Sequence, residues 1–114
     1  MLTYALIAFA VAALIGLVMA ASVLRGALAP WALSLVHAAL GATGLVLLAL
    51  SVVSGAGGLI PIALGTLIVA ALGGFYLAFL HLQNKPAPSG IVLIHAGVAV
   101  VGVLMLAGTV LKLL

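Results

Sequence analysis

Three histidines carry most of the chemistry that this chain offers. Its 114 residues include no Asp, no Glu and no Cys, which excludes disulfides, thiolate ligands, iron–sulfur clusters and paired carboxylates for acid–base work. Imidazole is the strongest metal ligand left, and a neutral imidazole suits iron, copper, zinc or nickel. His37 and His95 stand 58 positions apart, and the third, His81, precedes Lys85 by four residues.

That spacing of 58 is also the period of an internal repeat. Residues 1–56 align without a gap on residues 59–114, with 18 of the 56 positions identical. Ala12, Ala13, Leu14 and Gly16 fall on Ala70, Ala71, Leu72 and Gly74, while Pro30, Leu35, His37, Ala38 and Gly44 fall on Pro88, Leu93, His95, Ala96 and Gly102. A composition this biased gives roughly 7 or 8 chance identities, so the excess reads as a duplication that carries its histidine along.

The elements that position these histidines follow from composition. Sixty-nine per cent of the residues are hydrophobic and 3% are charged, whereas soluble domains are about a quarter charged. The chain reads as an integral membrane protein. Its apolar runs, about 2–24, 31–53, 59–82 and 91–113, each match the roughly 20 residues of a membrane-crossing helix. They lack the apolar–polar alternation of a membrane β-barrel. The expected fold is an all-α, single-domain transmembrane four-helix bundle, built as a tandem parallel repeat of two transmembrane hairpins. The first run has no preceding Lys or Arg and repeats as the third, so it is expected to remain in the mature protein.

Short connections containing Gly26 and Pro30, then Gly55, Gly57 and Gly58, then Pro86 and Pro88 make consecutive helices antiparallel neighbours. Arg25 and Lys85 fall on one side and Lys112 on the other. The positive-inside rule places the first pair in the cytoplasm, with both termini periplasmic in a bacterial inner membrane. Each repeat crosses the membrane twice, so the copies run in the same sense about a pseudo-twofold axis along the membrane normal. The second and fourth helices then lie diagonally opposed, with His37 and His95 facing each other.

Each of these histidines lies seven residues beyond its matching proline, about 10 Å into the helix. His81 is expected in the same layer, nearer the interface. Ionisable residues inside a membrane are expensive and point to an interior site. Small residues follow on the same helix face, Gly41 and Gly44 after His37, Ala99 and Gly102 after His95. Similar strips, Ala12, Gly16 and Ala20 against Ala70, Gly74 and Ala78, read as close helix packing.

Two imidazoles on opposed helices above small side chains suit a b-type haem. In this arrangement of His37, His95, Gly44 and Gly102 the chain resembles the membrane-embedded b-type cytochromes, in which histidines on facing helices sandwich a haem. The resemblance implies one haem b per chain, His37 and His95 as axial ligands, and propionates near Arg25, Trp31 and Lys85. It makes His81 a propionate partner or proton carrier. The implied activity is that of an electron-transfer protein, at most a small oxidoreductase, with a quinone or a redox protein as its partner.

A ligating imidazole passes its other proton to an oxygen acceptor. Without carboxylates, the expected acceptors are the carbonyls of Leu33 or Ile91, or the hydroxyl of Ser34. Two other functions compete: a three-histidine site for zinc, copper or nickel made by His37, His81 and His95, and a non-catalytic assembly or structural subunit of a membrane complex. Three basic side chains are too few for a nucleic-acid surface. The expected surroundings are the bilayer and, through outer small-residue strips, a second copy of the chain.

Overall fold

A computed structural model describes the whole chain, residues 1–114. It contains four helices, α1 (Leu2–Leu24), α2 (Trp31–Val53), α3 (Ile60–Leu82) and α4 (Ser89–Val110), and no strand. All four are long and apolar enough to cross a membrane. In lipid the backbone must satisfy its own hydrogen bonds, and continuous helices do so.

Local sequence sets the ends. α2 and α4 both begin directly after a proline, Pro30 and Pro88, held at φ −59° with ψ 138° and 134°. α4 therefore starts two residues earlier than hydropathy alone indicates, because Ser89 and Gly90 are polar but helical. It also stops at Val110, three residues short of the apolar run. α3 begins at Ile60 because Gly58, at φ 60°, still belongs to the turn.

All four helices stop by one device. A residue in the left-handed region follows each C-cap: Gly26, Gly55, Asn84 and Lys112, with φ of 81°, 108°, 56° and 59°. The next amide bonds back to the carbonyl five residues earlier, as Ala27 does to Ser22 at 3.1 Å and Leu113 to Gly108 at 2.7 Å. These are Schellman caps, which satisfy carbonyls that would otherwise be orphaned at the membrane surface.

The helices pack as two close hairpins, α1 with α2 and α3 with α4; looser α1–α4 and α2–α3 contacts close the bundle. The backbones of α1 and α3 stay more than 8 Å apart at every Cα pair, as do those of α2 and α4, so the histidine-bearing helices are diagonal and meet only through side chains. The bundle measures 42 × 20 × 19 Å.

Packing is uneven along this length. The most buried residues, Ala5, Leu48, Ile60, Ala63 and Leu106, lie toward the end formed by the termini and the α2–α3 turn. Midway, the ring of Phe9 fills the space beside Gly44, and Leu67, its repeat equivalent, fills the space beside Gly102. Past Ala12 and Ala70, toward the α1–α2 and α3–α4 connections, only Ala29 and Val92 are buried.

Candidate functional site

His37 and His95 are each the seventh residue of their helix, which puts both about 9 Å from the helix start. Each reaches across its own hairpin. Nδ1 of His37 donates to the carbonyl of Ala12 at 2.8 Å, and Nδ1 of His95 donates to that of Ala70 at 2.7 Å. A carbonyl only accepts, so the proton is fixed on Nδ1, and in the neutral ring Nε2 keeps a free lone pair. That is the arrangement by which proteins orient a metal-binding imidazole.

The acceptor carbonyls belong to α1 and α3, not to Leu33 and Ile91 as expected from sequence. A ring that reaches across the hairpin meets the backbone of the facing helix rather than its own preceding turn. Gly16 and Gly74 make that backbone accessible. The residue four places on in a helix normally covers the carbonyl behind it. Here a Cβ on Gly16 would stand 2.9 Å from Cε1 of His37, and one on Gly74 would stand 3.1 Å from Cε1 of His95. The strip read as helix packing is thus the seat of the imidazoles.

The two rings face each other across the bundle diagonal, with centroids 6.3 Å apart and planes at 77°. Two imidazoles sharing one metal atom, with nitrogens about 2.0 Å from it, have centroids about 6 Å apart. The centroid separation is compatible with two imidazoles on opposite sides of one metal atom. Gly44 and Gly102 are not the open slot that the sequence pattern implied, because Phe9 and Leu67 occupy them. Space beside Gly41 is open, and Ala99 is half-buried. Packing loosens toward the α1–α2 and α3–α4 connections, where Arg25 and Lys85 are exposed.

His81 does not join this layer. It lies seven residues beyond Gly74 in α3, about 10 Å along the helix axis. There its ring stacks on Trp31 with centroids 3.9 Å apart and planes within 3°. Nδ1 of His81 shares a 3.2 Å hydrogen bond with the Ser34 hydroxyl, so neither Ser34 nor the indole face of Trp31 serves the paired histidines. His37, His81 and His95 do not come together as a group of three placed to hold one metal ion. The Trp31–Ser34–His81 cluster joins α2 to α3; its repeat counterparts are Ser89, Val92 and Val23.

The sequence contained the partners of the site without identifying them. Ala12, Gly16, Ala70 and Gly74 are all repeat identities, but which carbonyl meets which ring depends on hairpin register. No protein family, curated protein or solved structure matches this chain.

Proposed function

We propose that the chain is a membrane-embedded haem b protein, with His37 and His95 as the axial ligands, that exchanges electrons with a lipid-soluble quinone or a redox protein. The observation that carries this reading is the matched pair of Nδ1-anchored imidazoles 6.3 Å apart. A haem held there supplies one-electron chemistry at its iron. The chain's own contribution is orientation. The carbonyls of Ala12 and Ala70 fix the tautomer and hold both Nε2 atoms available, while Gly16 and Gly74 let the rings seat against backbone.

The filled spaces beside Gly44 and Gly102 direct the macrocycle toward the connections that carry Arg25 and Lys85, whose charges suit haem carboxylates. We place that end in the cytoplasm of a bacterium and both termini in the periplasm, following the charge bias of these short connections. Haem entry would tighten a half-bundle that otherwise has little buried core.

The test is the absorption spectrum of protein made with ample haem and purified in detergent, oxidised and then dithionite-reduced, with a pyridine haemochrome assay. One low-spin haem b per chain, lost in His37→Ala and in His95→Ala, is the expected result. A folded but colourless protein from the same preparation overturns the proposal and favours an assembly subunit.

A further inference from the structure

The paired histidines each keep one acceptor that the bundle does not use. With Nδ1 donating to Ala12 or Ala70, a neutral imidazole has no second proton, so neither ring can hydrogen-bond to the other. The side-chain hydrogen bonds of the bundle include none to either Nε2. Both Nε2 atoms hold the same register, 3.8 Å from the place that a Cβ on Gly16 or on Gly74 would take. Two equivalent lone pairs are thus carried on rings whose centroids lie 6.3 Å apart.

A lone pair with no donor is free for a Lewis acid, and the surroundings select which kind. The chain has no carboxylate and no thiolate, and no third histidine joins the two. A divalent ion therefore finds neither the larger ligand set that it prefers nor a charge to offset its own. Ion desolvation grows as the square of the charge, so two positive charges at this depth cost about four times what one does.

A filled-shell monovalent ion of copper or silver has the opposite demands. It binds neutral imidazole and is saturated by two ligands in a line. Bonds of about 2.0 Å on either side of such an ion set the ring centroids about 6 Å apart, against 6.3 Å here. Linear coordination imposes no relation between the ring planes, so their angle of 77° is accommodated. Toward the α1–α2 and α3–α4 connections the pair is covered by little buried core, which leaves an approach. Arg25 and Lys85 are exposed on that side, where water and salt screen their repulsion.

We infer that the chain, when it holds no haem, binds one bare monovalent ion, Cu⁺ or Ag⁺, in a line between Nε2 of His37 and Nε2 of His95. The site goes beyond the haem reading: it uses the same two lone pairs but needs no macrocycle. The side chains of Phe9 and Leu67 beside Gly44 and Gly102 do not obstruct a single ion. Ion and haem exclude each other.

The test is titration of the full chain, made without added haem and purified in detergent. Ag⁺ is supplied as its nitrate in chloride-free buffer, and Cu⁺ is supplied anaerobically against a chromophoric Cu⁺ chelator. One ion per chain is expected, undisplaced by an equal concentration of Zn²⁺. Changes outside the ligand shell alone cost metal sites about 10–100-fold, so His37→Ala and His95→Ala, which each remove a ligand, should weaken binding at least about 100-fold. His81→Ala should leave it unchanged. X-ray absorption of the Cu⁺-loaded parent, which depends on no variant, should show two nitrogen neighbours at about 2.0 Å and no others.

Folded protein without saturable binding, affinity unchanged by both His37→Ala and His95→Ala, or equal binding of Zn²⁺ overturns the inference. The haem question is answered separately on the same preparations. A chain that takes the ion but never haem keeps the ion site and rejects the haem. A chain that takes haem but, before loading, ignores both Ag⁺ and Cu⁺ keeps the haem and rejects the ion site. Where both bind, preloading with Ag⁺ should block haem uptake, and simultaneous occupancy would refute the shared lone pairs.

Discussion

A Cβ on Gly16 would stand 2.9 Å from Cε1 of His37. Contacts that short force something to move, and the imidazole is pinned at its other side by Ala12. Gly16→Ala should therefore destabilise the bundle by about 1–3 kcal/mol, less whatever alanine gains in helix propensity. Gly74→Ala, with 3.1 Å available, should lose less. Gly41→Ala meets open space and should be neutral or mildly stabilising. Reversible unfolding in mixed detergent, followed by circular dichroism, ranks the three.

Removing an imidazole separates folding from ligation. In His37→Ala the Ala12 carbonyl keeps its helical bond from the Gly16 amide, so the loss is one interhelical hydrogen bond. Such bonds average about 0.6 kcal/mol in membrane bundles. The variant should remain folded, with an unfolding free energy within about 1 kcal/mol of the parent, while haem stoichiometry falls toward zero. His95→Ala should behave alike because the repeat preserves the geometry. A variant that loses stability and haem in equal measure would make the histidines structural.

The sequence made the bundle legible because the bilayer leaves few choices. Four uninterrupted apolar runs admit little but helices, short connections make neighbours antiparallel, and the repeat puts the second and fourth helices on a diagonal. The depth of His37 and His95 followed from Pro30 and Pro88. What stayed hidden depends on helix rotation and register. The face of α1 that meets α2 decides that Ala12 is the acceptor, Gly16 the seat and Gly44 the slot for Phe9. With hydrophobic residues all round each helix, no polar stripe records that rotation. His81 was misplaced because sequence distance from Lys85 gives its depth near the interface but not its neighbour, Trp31.

Phe9 and Gly44 should behave as one unit. Gly44→Ala collides with the Phe9 ring, whose atoms would lie as close as 2.8 Å, and should cost about 1–3 kcal/mol. Phe9→Ala empties the same space. Lipid tails solvate an apolar ring about as well as a protein interior does, so most of the transfer term cancels, and the destabilisation should fall below the 3–5 kcal/mol or so typical of soluble cores. Combined, the two changes should cost less than their sum by about 0.5 kcal/mol or more. A double-mutant cycle reads this directly, and strict additivity would disprove the contact.

Arg25 and Lys85 supply the charge bias behind the proposed orientation. A C-terminal periplasm-active phosphatase fusion should be active and a cytoplasm-active reporter at the same site silent. Neutralising Arg25 and Lys85 together leaves Lys112 as the remaining basic side chain, and the two reporters should then both show partial activity. Reporter activities unchanged by the double substitution would mean that another determinant fixes topology.

Trp31 is the single tryptophan of the chain, and His81 lies flat on it at 3.9 Å. Its fluorescence therefore reads one contact between α2 and α3. Replacing His81 with Leu removes the stacked imidazole and the Ser34 hydrogen bond, so the indole emission should rise and its environment become more lipid-like. Stability should fall by about 0.5–1.5 kcal/mol, the range for an aromatic pair of this kind. Ser34→Ala breaks only the 3.2 Å bond that holds the imidazole and should give a smaller change of the same sign. Because the paired histidines lie about 10 Å deeper in the bundle, haem stoichiometry should stay unchanged in both variants. Loss of haem in His81→Leu would place His81 in the haem site and require the two clusters to be coupled.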